Sequence, residues 1–134
     1  MLPVVFINCS SAPFIDDIIN GRKTYETRTR DTLRALVGRR VLLAETGHNG
    51  RPVVRCSAVI TCSAQVDDRE TWRKLRRFTR VPSGSRYDWQ PGTRRKFVYG
   101  LSGVVACWPF IPPEGVRHGR VWMEYNNDGG VCND

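Results

Sequence analysis

The sequence predicts a mainly β domain with short helices (α+β), a β-barrel whose mixed sheet is flanked by two or three small helices. Two long runs rich in β-branched and aromatic residues, 53–66 and 95–109, read as strands. Helical periodicity is confined to a few short stretches. Glycine and proline clusters at 47–52, 82–92 and 109–119 punctuate the chain as sheet turns do. With 134 residues and 40% hydrophobic content, a single domain over 1–134 is expected, able to bury a core without disulfides or metal.

In order, Leu2 to Asn8 is an apolar run suited to a first strand or an extended lead-in. Ser10 to Asn20 reads as an amphipathic helix. Ser10 or Ser11 can cap it, Pro13 suits its first position, and Asp16 and Asp17 lie where the helix dipole favours negative charge. Phe14, Ile15, Ile18 and Ile19 form its apolar stripe, and Gly21 supplies the left-handed stop. The extended run that follows carries Arg22, Lys23, Glu26 and Arg28, a dense set of charges for the start of a sheet. Asp31 to Gly38 reads as two helical turns capped by Asp31.

Arg39–Thr46 and Val53–Val66 should pair as an antiparallel hairpin whose tip carries His48, Asn49 and Arg51. Asp67 to Arg80 reads as a second helix, capped by its two aspartates. Its only apolar pair is Trp72 and Leu75, so light packing at the surface is expected. Pro82 to Gly92 is a polar loop. Arg95 to Pro109 is the second long strand, with Gly100 and Gly103 marking bends or bulges. Pro109 to Gly119 is a turn, Arg120 to Tyr125 a closing strand, and 126–134 a flexible tail.

Charge bears on partners. With 21 Lys and Arg against 13 Asp and Glu, the formal net charge is +8, and such a field attracts polyanions. Ten of those 21 cations lie in one segment: Arg69, Arg73, Lys74, Arg76, Arg77, Arg80, Arg86, Arg94, Arg95 and Lys96. Aromatic residues are interleaved with them. Cations for phosphates and flat rings for bases are what a single-stranded nucleic-acid surface needs. Arg73, Lys74, Arg76, Arg77, Arg86, Arg94 and Arg95 are the candidate phosphate contacts, with Tyr87 and Trp89 as stacking platforms, while Trp72, Phe97 and Tyr99 read as core.

In an extended run, Thr24, Glu26 and Arg28 share one face and Lys23 and Tyr25 the other. Charges opening a barrel strand are costly unless paired, so a contact of Glu26 with Arg28 or Lys23 is expected. The same run carries a family resemblance. The pattern Pro-x(7)-Gly-x-Lys-Thr-x-Glu-x-Arg from Pro13 to Arg28 resembles the signature of the ASCH domain, a relative of the PUA RNA-binding domain. Tyr99-Gly100-Leu101, the proline-rich 109–113 and Gly119-Arg120-Val121-Trp122 resemble its later motifs, so the likeness runs along most of the chain.

The resemblance implies a PUA-like β-barrel with a ligand cleft formed by Lys23, Thr24, Glu26 and Arg28, with Cys9 and Ser11 beside it. Cys9 stands at the family's usual serine, ahead of the cleft helix, where a helix N-terminus would lower a thiol's pKa. The implied function is binding of RNA, a nucleotide or a modified nucleoside. The alternative is a small hydrolase acting on N4-acylated cytidine or on RNA, with Lys23 and Glu26 in catalysis. In that hydrolase type Glu26 occupies the position expected for a threonine nucleophile. Glu26 would then act as base on water while Lys23 stabilises the oxyanion.

No cofactor is expected. The five cysteines form no C-x-x-C pair, and His48 and His118 lie in separate loops, so no metal template fits. No apolar run is long enough to cross a membrane. The first residues lack a basic leader, and reduced thiols in a cytoplasmic protein are the expectation.

Overall fold

The computed structural model of the protein describes residues 2–118 and 122–125. Its strands are β1 (Leu2–Asn8), β2 (Tyr25–Arg28), β3 (Arg40–Thr46), β4 (Val53–Val66), β5 (Lys96–Phe110), β6 (Val116–His118) and β7 (Trp122–Tyr125). Helix α1 (Phe14–Ile19) lies between β1 and β2, while α2 (Arg69–Lys74) and α3 (Arg76–Thr79) lie between β4 and β5. All strands join one sheet in the order β2-β5-β4-β3-β1-β7-β6. Only β1 beside β3 is parallel. The mixed sheet curves into a half-barrel with a few short helices.

Strands β1 and β3 are buried on both faces, which explains their unbroken apolar runs. Val5, Ile7, Val41 and Leu43 meet Phe14, Ile15 and Ile18 of α1, together with Leu33, Leu36, Trp72 and Tyr99. On the opposite face, Val4, Phe6, Leu42, Ala44 and Val54 form a smaller cluster. Bending is concentrated where β4 and β5 pair, with three register shifts in that ladder. Gly103, at φ +57, sits beside one of them. The expected hairpin of β3 and β4 and the long β5 are present.

Several local expectations need correction. Helix α1 begins only at Phe14, and neither serine caps it. Ser10 instead donates through its N–H and its hydroxyl to Asn8 Oδ1, at 2.9 and 2.6 Å. Asp31 caps no helix, because only a 3-10 turn forms at Arg34–Leu36. Its carboxylate accepts from the buried Tyr99 hydroxyl at 2.6 Å, a tertiary partner that outcompetes the local cap.

The second helix breaks at Leu75 into α2 and α3, and Arg80 at φ +58 ends it. Only Asp68 caps it, accepting from Thr71 N–H at 2.7 Å. Asp67 accepts from the Gln65 amide. The segment lies at the surface, anchored by Trp72, one of the largest fully buried side chains, and by Thr79. The 109–119 turn contains β6, which pairs with β7. Cys107 is disulfide-bonded, so reduced thiols throughout do not hold; Cys9, Cys56 and Cys62 are free. The expected tail at 126–134 lies outside the described residues.

Candidate functional site

The site begins where α1 ends. Gly21, at φ +77, turns the chain out of the helix. The N–H groups of Arg22 and Lys23 then both donate to Asp17 O, at 2.8 and 3.0 Å. Lys23 is thus part of the helix closure and precedes β2, so the two-residue alternation of an extended run does not reach it. Its side chain ends up on the same side as Glu26, contrary to strand parity. Burial at 2% exposure surrounds Lys23 with the Phe14 ring, 4.8 Å from Nζ, and the Thr79 carbonyl, which accepts from Nζ at 2.7 Å.

A chain of charge follows. Glu26 Oε1 lies 3.5 Å from Lys23 Nζ, and Glu26 Oε2 accepts from Arg28 at 2.8 Å. The same Arg28 nitrogen donates to Phe6 O at 2.8 Å, tying β2 to β1 across the half-barrel. Burial pushes the Lys23 ammonium pKa down, and the neighbouring Glu26 only partly restores it. Burial pushes Glu26 up, but the charges of Arg28 and Lys23 and the Thr27 N–H outweigh it, and the carboxyl ends below its ordinary value. Both expected contacts of Glu26 exist together.

These residues line a cavity of about 430 Å³, within the range of about 300–1,000 Å³ typical of small-molecule sites. Phe6, Ile7 and Asn8 of β1, Thr27 to Thr29, Thr46, Phe14, Tyr87 and Lys96 complete the wall. Tyr87 meets Phe14 edge to face at 6.0 Å, with the Arg86 guanidinium 4.9 Å over its ring. Lys96 is 4% exposed; its Nζ donates to Tyr87 O at 2.8 Å and lies 5.0 Å over the Trp72 ring. The sequence placed Lys96 only at the end of a basic segment. Antiparallel pairing of β2 with β5, residues 25–28 against 97–100, is what carries it to Lys23 and Arg28.

Other sequence candidates are placed differently. Thr24 does not line the cavity; its N–H donates to Phe78 O and its carbonyl accepts from Leu101 N–H. Cys9 and Ser11 border a second depression of about 380 Å³, with Asp16, Glu45 and His48. Arg55 joins Asp16 and Glu45 there at 2.7 and 2.8 Å, and His48 lies 3.1 Å from Glu45. Burial pushes the Cys9 thiol pKa up, with N–H groups of α1 offsetting it only in part. The expected lowering of the Cys9 pKa is therefore overturned. The N–H groups at this short helix do not compensate for desolvation.

Of the basic flank, Arg73, Lys74, Arg77, Arg86, Arg94 and Arg95 are exposed. Arg76 is tied to Asp88 at 3.0 Å, and Trp89 is half-buried against Trp72, with ring centres 6.5 Å apart. Asp88, which reads as loop punctuation, is the hub of this region. Its carboxylate accepts from the Trp72 indole at 2.6 Å, from the N–H groups of Gly84 and Trp89 at 2.8 Å, and from Arg76. No local pattern marks it, since its donors come from two helices, α2 and α3, and two loop positions.

Gly47 holds the turn that joins the two depressions. It sits at φ +93, and a Cβ would fall on Asn8 Oδ1 and within 2.8 Å of Ser10 N. Gly47→Ala is expected to cost about 2–3 kcal/mol, because a left-handed conformation and a backbone clash coincide. Thermal unfolding should show a Tm fall of roughly 5–10 °C; an unchanged Tm contradicts this packing.

Three solved structures share this fold. A crystal structure of ASCH from Zymomonas mobilis superposes with a TM-score of 0.66 at 22% identity, covering 81% of this chain and 72% of that one. A serine-to-alanine variant of that protein gives 0.65 at 24% identity with the same coverage. A tyrosine-to-phenylalanine variant gives 0.66 at 23%, covering 81% and 74%. The fold is that of an ASCH domain. No family model and no curated protein sequence matches the chain. Among the described residues no helix is long and apolar enough to cross a membrane, and no group of side chains is arranged to hold a metal ion.

Proposed function

We propose that the protein binds RNA or a nucleotide, seating one nucleotide in the cavity of Lys23, Glu26 and Arg28 while the exposed basic flank meets the phosphate backbone. The observation that carries this reading is a cavity of about 430 Å³ with a buried cation–carboxylate–cation chain on its wall. Donors and an acceptor fixed side by side match a base edge, and the ASCH fold is consistent with RNA binding. The half-buried Tyr87 ring at the rim offers a flat apolar surface. Arg76 and Trp89, committed to Asp88 and Trp72, contribute to shape rather than to contact.

The test is fluorescence anisotropy of a short single-stranded RNA across a salt series, wild type beside Lys23→Met. Log K should fall linearly with log salt with a slope reporting several phosphates. Lys23→Met should lose about tenfold or more at every salt concentration without changing that slope, because a buried group contributes contact rather than counterion release. Binding indifferent to Lys23 would remove the cavity from the reading.

A second reading has one observation in its favour. Lys23, its pKa lowered by burial and lying 3.5 Å from a carboxylate, resembles a proton-handling pair. In a small hydrolase of N4-acylated cytidine or RNA, Glu26 takes a proton from water as the hydroxyl attacks, Lys23 stabilises the oxyanion, and Glu26 returns the proton to the departing cytosine N4 or ribose 5′-oxygen as the C–N or P–O bond breaks. Arg28 on Glu26 Oε2 weakens that base, which favours binding over turnover. Chromatography of an N4-acylated cytidine and of RNA after incubation with wild type decides; no product above background sinks the hydrolase.

A further inference from the structure

We propose that the cavity takes a phosphomonoester, and that Lys96, with Arg28, holds the phosphate group. This deepens the nucleotide-binding reading and rests on it. Three cations, Lys23, Arg28 and Lys96, face the cavity against one carboxylate, Glu26. Glu26 is already engaged by Lys23 and Arg28. Lys96 has no carboxylate within 4.0 Å among the described residues. Its ammonium carries three donors, of which Tyr87 O accepts from one.

Arg28 adds its positive charge to the same cavity wall; its Nε, shut off from solvent, has no hydrogen-bond partner. A buried ammonium with one hydrogen bond and one aromatic face is an expensive arrangement unless an anion completes it. Asp88 does not do so at close range, because Trp72, Gly84, Trp89 and Arg76 occupy its oxygens. Burial pushes the Lys96 pKa down and Asp88 pulls it only part of the way back, so a bound anion would restore the charged form. A phosphomonoester brings about −1.5 to −2 of charge at pH 7 and three strong acceptors. Those match the two remaining donors of the Lys96 ammonium and the positive charge of Arg28 on the same wall. An internal phosphodiester carries a single charge, so the arrangement selects a nucleotide or a chain end.

Isothermal titration of the intact protein with the four ribonucleosides and with their 5′- and 3′-monophosphates tests this. At least one monophosphate should bind tenfold or more tightly than its nucleoside, and inorganic phosphate should compete with it. Lys96→Met, which removes the ammonium over the Trp72 ring and keeps much of the side chain's bulk, should erase the phosphate gain, so that monophosphate and nucleoside bind alike. If that variant does not fold, the wild-type comparison and phosphate competition decide alone. A short RNA with and without a 5′-phosphate separates the two sources. An equal gain on the RNA identifies a chain end, and a gain confined to mononucleotides identifies the free nucleotide; either supports the proposal. Nucleosides binding as tightly as monophosphates overturn it while leaving nucleotide binding in place. Binding of neither nucleosides nor nucleotides overturns both.

Discussion

Glu26→Gln is expected to cost about 3 kcal/mol of folding stability, a large share of the roughly 5–15 kcal/mol that holds a domain of this kind together. The Glu26 carboxylate is the counter-charge shared by two cations, 3.5 Å from Lys23 and 2.8 Å from Arg28, with Lys23 and Glu26 buried and Arg28 half-buried. A glutamine keeps the shape and removes the charge. Lys23 can respond by shedding its proton, since burial already lowers its pKa. Arg28 cannot, so the loss should sit at the low end of the range for breaking a buried pair.

Denaturant midpoints in a double-mutant cycle with Lys23→Met should give a coupling of about 1 kcal/mol or more. A loss below about 1 kcal/mol for Glu26→Gln would show that water screens the chain of charge, as it does for surface pairs. The cavity would then be an open groove rather than a desolvated site.

Asp88→Ala should be the most damaging single change in the basic flank, at about 3–5 kcal/mol. It leaves the Trp72 indole and the N–H groups of Gly84 and Trp89 without an acceptor and Arg76 without its counter-charge. The loop carrying Tyr87 would lose its anchor, so ligand affinity should fall along with stability. The same carboxylate predicts an acid limb. Burial pushes Asp88 up, yet the hydrogen bonds from Gly84, Trp72, Trp89 and Arg76 prevail and hold it down to about 2, from an ordinary 3.8.

A folded-state pKa below the unfolded one means that the contribution is fully present above about pH 4 and fades as pH falls toward 2. That contribution is roughly 2–3 kcal/mol by linkage. Glu26, lowered in the same direction, adds to the acid loss. Unfolding followed by circular dichroism from pH 6 to 2 should show the decline, and Asp88→Asn should flatten it. An identical acid profile in wild type and Asp88→Asn would refute the assignment.

The charged start of β2 was legible because charge density there contradicts what a sheet normally opens with. The resemblance then pointed to the same residues, Lys23, Glu26 and Arg28. Parity was misleading at Lys23, since the chain is still closing helix α1 when it reaches that residue. Asp31 and Asp67 read as caps because local rules score only local partners. A buried tyrosine hydroxyl 68 positions away claimed the first, and a strand glutamine the second.

By itself, the sequence determined the strand runs, the α1 stripe, the β3–β4 hairpin and the concentration of cations in 69–96, all properties of neighbouring residues. The ASCH-type topology was reachable through the spacing of its motifs. Only the tertiary structure decided what faces the cavity. Pairing of β2 with β5 brings Lys96 to Lys23, folding of the 82–92 loop puts Asp88 against Trp72, and the α1 turn moves Cys9 and Ser11 to a separate depression. Burial then set the charges' behaviour, because a lysine or a carboxylate has an ordinary pKa in the sequence and acquires a shifted one only when the fold removes water from around it.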